Sequence, residues 1–180
     1  MKKLPLFFSL LVMTMLSFKQ VSANPPGAGA ITAFWLTASN VNSMASAGAV
    51  SLKIYGSTDE SGNSGYIMAG VDGAGNPLPN QIFMVGNKGI CPPQCDFTGM
   101  DASASAVESS TAEVNVNRYM SANAGVNNCA TFTMNSLGKM RTGSTYIKVS
   151  IGSSASAAGY SDSGAPTKTS ATGTASNSGM

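Results

Sequence analysis

Histidine is absent from this chain of 180 residues, and its absence removes more chemistry than any residue present suggests. Without an imidazole there is no Ser-His-Asp or Cys-His nucleophile, no histidine general base and no histidine-ligated zinc. Paired carboxylates or a Ser-Lys pair would still serve an enzyme, but the residues favour a protein that does not catalyse. Charge is scarce as well. Asp, Glu, Lys and Arg make up 10% of the chain, against about 25% in an average globular protein. Ser, Ala, Gly, Thr and Asn take their place, the neutral, hydroxyl-rich surface of many exported bacterial proteins. Tryptophan occurs once, at Trp35.

The one long apolar run is at the start. Lys2-Lys3 precedes Leu4–Phe18, and Val21-Ser22-Ala23 offers small residues for cleavage, so residues 1–23 read as a secretory signal peptide. Its apolar core of about 15 residues is short for a membrane span, which needs about 20. No later segment approaches that length, and no membrane span is expected once the signal is removed. Three of the ten basic residues (Lys2, Lys3, Lys19) lie in the signal, leaving seven against eight acidic ones. No basic field remains to hold nucleic acid or an anionic membrane surface. The expected location is periplasmic, cell-surface or extracellular.

Within 24–152 the side chains alternate in the manner of half-buried strands. Ile31–Leu36 is β-branched and aromatic and, lying near the expected mature terminus, is reminiscent of a donated strand. In Gly48–Tyr55, Val50, Leu52 and Ile54 oppose Ser51, Lys53 and Tyr55. Tyr66–Val71 and Gln81–Val85 flank the turn-rich insert Asp72–Pro79 and predict a hairpin. Thr111–Met120 alternates Val114, Val116, Arg118 and Met120 against Glu113, Asn115, Asn117 and Tyr119. Cys129–Met134 and Thr145–Ile151 complete the set. Ala38–Ala47 and Met100–Ser110 predict loops with at most a short helix.

Residues 153–180 contain no Val, Ile, Leu, Phe or Trp. Such a segment buries too little apolar surface to offset an ordering entropy of about 1–2 kcal/mol per residue, and disorder is expected. The expected fold is all-β: an antiparallel β-sandwich of about seven strands over 24–152, with a disordered Ser/Ala/Thr/Gly-rich tail over 153–180.

Cys91, Cys95 and Cys129 all survive removal of the signal, an odd number for an exported chain, where disulfides are the rule. Closing the five-residue ring Cys91–Cys95 stabilises by about 2 kcal/mol, and a loop of about 35 residues to Cys129 by about 4. Both pairings are open on spacing. Cys129 shares a strand face with Thr131 and Thr133, where the Cys91–Cys95 loop could lie across the sheet. The expected bond therefore runs from Cys129 to Cys95 or Cys91, leaving one accessible thiol able to link a dimer.

Other candidates are weaker. Three thiolates could hold Cu(I) or zinc, but the methionines of the mature chain are scattered singly, as core packing requires. No cofactor or metal is expected. Asp59–Asn63 and Asp72–Asn76 superficially resemble calcium loops, yet lack the EF-hand series and sit where hairpin turns are needed. Asp96, Asp101, Glu108 and Glu113 are the carboxylates available to a hydrolase. Tyr55, Tyr66, Tyr119, Tyr146 and Tyr160 could line a sugar-stacking face. The expected function is that of an exported, non-enzymatic β-sandwich in cell-surface or periplasmic adhesion or assembly. Self-association, or a surface protein or glycan partner, goes with it. The alternatives are a secreted metal- or small-ligand-binding protein built on the Cys91–Cys95 loop, and a carboxylate-dependent hydrolase.

Overall fold

Ten strands and three helices account for most of the chain from residue 30 onward. The computed structural model describes residues 30–180; the expected signal peptide over 1–23 lies outside them. The strands are β1 (Ala33–Thr37), β2 (Ser51–Thr58), β3 (Ser64–Val71), β4 (Pro77–Val85), β5 (Ile90–Cys91), β6 (Ala104–Ala106), β7 (Cys129–Thr133), β8 (Tyr146–Ile151), β9 (Ala155–Tyr160) and β10 (Pro166–Ser176). The helices are α1 (Ala38–Ser46), α2 (Ser109–Ala122) and α3 (Gly138–Gly143).

All ten strands belong to one antiparallel sheet, ordered β5-β1-β8-β9-β10-β7-β2-β3-β4-β6 and curled into a half-barrel. The sandwich of about seven strands is therefore corrected to a single sheet folded around its own core. The physical reason lies in the alternation. Phe34 and Leu36 of β1, Leu52 and Ile54 of β2, Phe132 of β7, and Ile147, Val149 and Ile151 of β8 all point into one cluster. One curled face encloses them, so no second sheet is required. Each such side chain stabilises by about 1.5–3 kcal/mol when fully buried. The curl brings the rings of Phe34 (β1) and Tyr66 (β3) to 5.5 Å, although five strands separate β1 from β3 in the sheet order. The Tyr66 hydroxyl donates to the Trp35 carbonyl across the same gap.

Helix α1 packs into this inner core. Thr37 caps it by accepting from the Asn40 N–H, and Ala38, Val41 and Met44 are its buried residues. It is tied to α3 by Asn42, whose amide donates to the Arg141 carbonyl at 2.8 Å.

Helix α2 covers part of the outer face and corrects the strand expected over Thr111–Met120. Ala112, Asn115, Val116 and Tyr119 are buried, the i, i+3, i+4, i+7 spacing of a helix side rather than the alternation of a strand. Val114, which a strand would have turned inward, is exposed. Beneath α2 lie Tyr55, Ile67, Ala69, Val71, Ile82 and Cys129, a second, smaller core. Tyr119, at the end of this buried line, reaches the inner core instead, passing Gly56, where a Cβ would sit 2.6 Å from its ring.

The tail expected to be disordered is instead β9 and β10. Small side chains bury little, but they let strands approach, and β10 is held by ladders to β9 and β7 on its two sides. Its inward positions are Thr167, Thr169, Ala171, Gly173 and Ala175, while every other residue from Pro166 to Ser176 is exposed. Backbone pairing supplies what apolar burial does not. β1, for its part, is an internal strand between β5 and β8 of its own chain rather than one held out to a neighbour.

Candidate functional site

The outer face of β1 presents Trp35 next to Lys148 of β8, its direct cross-strand partner. A tryptophan on an outward position would stand in water if nothing covered it. Here the chain leaving β5 folds back over it. Cys91 and Cys95 are joined in a disulfide with Cα atoms 4.4 Å apart, and the resulting loop straps the outer face. Trp35 Nε1 donates to the Gln94 carbonyl at 3.2 Å. Lys148 Nζ donates to the Cys95 carbonyl at 2.7 Å and lies 5.0 Å from the Trp35 ring centroid, within cation–π range. Beyond the disulfide, Phe97 meets Trp35 edge-on at 5.9 Å and Tyr146 at 5.4 Å, while Tyr160 meets Trp35 at 5.0 Å. Gln94 and Thr98 both donate to Asp96 Oδ1, which stiffens the strap from within. Trp35 is consequently buried, yet it belongs to neither apolar core.

Beside the strap the outer face of β8, β9 and β10 is bare. Ser150 pairs with Ser156 and Ser156 with Thr172, so three hydroxyls stand side by side across three strands, at the roughly 4.8 Å spacing of a sheet. Lys148, Ala158 and Ser170 form the next row. Together with Tyr160 these residues line a shallow depression of about 660 Å³. It offers hydroxyl donors and acceptors, one cation already engaged by the strap, and one aromatic rim. No carboxylate lines it. A smaller hollow of about 430 Å³ lies between β4 and the start of α2, around Pro77, Pro79, Val107 and Glu108.

Cys129 is where the expected pairing fails. Its predicted side of the strand holds: it faces away from Ala130 and Phe132 and into the outer cluster. That side is closed by α2, which buries Cys129 as a free thiol. The strap lies across the sheet as expected but at the other end, with four strands between β5 and β7 in the sheet order. The bond from Cys129 to Cys95 or Cys91 is thus replaced by Cys91–Cys95, and the leftover thiol is buried rather than accessible. Sulfurs bonded to each other offer no thiolate to a metal. Burial, followed by the neighbouring Cys129 thiol, pushes the Tyr55 phenol well above the ordinary range.

The remaining sequence candidates are spread over separate elements. Asp59 accepts from the backbone N–H of Ser61 and Asn63, and Asp72 from Ala74 and Asn76. Each carboxylate is engaged in its own hairpin turn. Asp101 accepts from the Ser103 N–H, Glu108 is the residue preceding α2, and Glu113 is on that helix's exposed side. Among the described residues no three His, Cys, Asp or Glu side chains converge as a metal site. No helix among them is long and apolar enough to cross a membrane. Of the five tyrosines, Tyr55, Tyr66 and Tyr119 are buried, leaving Tyr146 and Tyr160 beside the strap. Lys148 and Phe97 escaped sequence reasoning, because nothing in their spacing announces that a loop residue and a strand residue will meet over Trp35. No family model, no curated protein and no solved structure matches the chain.

Proposed function

We propose that the protein is an exported, non-enzymatic β-domain acting at the cell surface or in the periplasm as an adhesion or assembly module. Its contact surface is the bare outer face of β8, β9 and β10. The observation that carries this is the row Ser150–Ser156–Thr172 with Tyr160 at its rim, a hydroxyl-bearing surface whose one cation, Lys148, is engaged by the strap. Such a surface suits a neutral polymer with its own hydroxyls. A neutral glycan would exchange hydrogen bonds with Ser and Thr and lay an apolar sugar face on Tyr160. The signal-like segment and the disulfide strap support export, since disulfides persist in oxidising compartments. The two alternatives have less support: the sulfurs of the Cys91–Cys95 loop are bonded to each other, and Asp96, Asp101, Glu108 and Glu113 lie on the strap, a loop and helix α2 rather than around one cleft.

Binding of the purified protein to intact cells and to an array of neutral glycans tests the proposal. Tyr160→Ala and Ser156→Arg should each abolish retention while leaving the circular dichroism spectrum unchanged. Undiminished retention by both variants would remove this face from consideration.

A further inference from the structure

Trp35 is only 1% exposed although it points outward from the sheet, and what lies over it is the strap. From Pro92 to Ser103 the chain belongs to no strand, so the strap shares no ladder with the sheet beneath it. It is stiff within, through the bonds of Gln94 and Thr98 to Asp96. Over Trp35 its hold on the sheet is local: Trp35 Nε1 on the Gln94 carbonyl, Lys148 Nζ on the Cys95 carbonyl, and the ring of Phe97. The first two fall within the ring closed by Cys91–Cys95. Cys95 is the exposed half of that disulfide, and Pro93, Asp96, Thr98 and Gly99 also face solvent. The surface under the strap differs from the bare face beside it. Trp35 meets Tyr160 at 5.0 Å, and Tyr160 is the direct cross-strand partner of Tyr146. Three rings thus stand with Lys148 on the same side of the sheet as the row Ser150–Ser156–Thr172. Phe97 rests so closely on Gly164, in the turn between β9 and β10, that a Cβ there would collide with its ring. The strap therefore reaches across the three rings to the rim of the open depression.

We propose that Trp35, Tyr146 and Tyr160 form a second subsite for a neutral glycan, and that the strap is its lid, released by thiol–disulfide exchange. The proposal rests on the binding face described above and extends it under the strap. A pyranose carries an apolar face of C–H groups edged by hydroxyls. The aromatic rings take the first, the adjoining Ser and Thr row takes the second, and Lys148, once free of the Cys95 carbonyl, donates to a sugar hydroxyl. The co-reactant is an external dithiol. Its thiolate attacks the Cys95 sulfur, the bond to Cys91 breaks, and Cys91 leaves as a thiolate that takes up a proton. The second thiol of the reductant then attacks the mixed disulfide and releases Cys95 as a thiol. Two electrons and two protons have passed from the dithiol, now a disulfide, to Cys91 and Cys95. With the ring open, Gln94 and Cys95 no longer present their carbonyls together, and Phe97 is left as the main hold on the sheet.

Trp35 is the sole tryptophan, so its fluorescence reads the lid directly. The full chain is compared oxidised and after treatment with dithiothreitol. Acrylamide quenching of Trp35 should rise on reduction and fall again on reoxidation, with the far-UV circular dichroism unchanged. A Trp35 still shielded after reduction, or a β spectrum lost with the disulfide, would overturn the proposal. Both forms are then applied to the array of neutral glycans. The reduced protein should be retained about tenfold more tightly, the upper end for one added aromatic stack. Trp35→Leu should remove that gain and keep the retention of the oxidised form. Phe97→Ala loosens the lid without touching the disulfide and should raise retention of the oxidised protein. Equal retention of the oxidised and reduced protein would overturn the lid and leave the open face standing. Retention of neither would remove the face itself, and the subsite with it.

Discussion

The outer face of this sheet has two regions built on the same alternation and finished differently. Under α2, the outward residues of β2, β3, β4 and β7 are Tyr55, Ile67, Ala69, Ile82 and Cys129, and a helix closes over them. On β8, β9 and β10 they are Lys148, Ser150, Ser156, Ala158, Ser170 and Thr172, and no helix does. Apolar outward side chains demand a cover, whereas hydroxyls are already satisfied by water. Covered and open regions of one sheet are thus set residue by residue.

The comparison is broken most forcefully from the covered side. Val116 is fully buried between α2 and the sheet. Val116→Asp should cost about 4 kcal/mol or more, because an unpaired charge would enter an apolar interface. A urea midpoint within error of the parent would show that α2 is not a cover at all. Next in size is Gly173→Ala on β10, where a Cβ would strike the Thr131 carbonyl and come within 2.7 Å of the Phe132 ring. Overpacking of this kind costs about 1–3 kcal/mol, and thermal melting measures it. Replacing Cys91 and Cys95 together by Ser should lose about 2 kcal/mol by the ring-closure entropy and shift Trp35 emission to the red as the strap loosens. Emission unchanged in position would mean the hydrogen bond to Gln94 and the Phe97 contact hold the strap unaided.

On the open side the same kind of charge should hardly matter. Ser156→Asp is expected to change stability by no more than about 0.5 kcal/mol. A loss comparable to that of Val116→Asp would mean the face is covered in solution. The smallest effect concerns acid. The backbone N–H of Asn76, then its side chain and the Ala74 N–H, hold the Asp72 carboxyl below its ordinary value of 3.8. In Asp59 slight burial works the other way, but the side chain and backbone of Asn63, then Ser61, outweigh it. With folded values below the unfolded ones, the turns are supported above about pH 4, and that support fades as pH falls through the folded values. Amide chemical shifts of Ala74 and Asn76 should move in that acid range and nowhere above it.

Much of the sheet was legible. The alternation Leu52/Ile54 and Ile147/Val149/Ile151 identified inward faces, and the Asp72–Pro79 insert located a hairpin between β3 and β4. Thr111–Met120 misled because Val114, Val116 and Met120 mimic a strand's alternation, while the true buried line of Ala112, Asn115, Val116 and Tyr119 mixes small, polar and large residues. Residues 155–176 misled for a different reason. Their order depends on two neighbouring strands with exposed main-chain groups, and composition carries no trace of neighbours. The side of the sheet that Cys129 faces was right and its bonding was not, because the cover over that side came from the segment misread as a strand. The candidate face was less legible still: five tyrosines were weighed alike, and only folding separates Tyr146 and Tyr160 from the three inside.

The position of β10 also sets a timetable. Protein synthesis runs from the N-terminus, so β7 and β9 emerge from the ribosome before the strand that fits between them. Until β10 follows them, the nascent chain carries two unpaired sheet margins, and the two halves of the sheet cannot join. A strand made after both of its neighbours leaves the sheet open for the whole interval between their synthesis and its own.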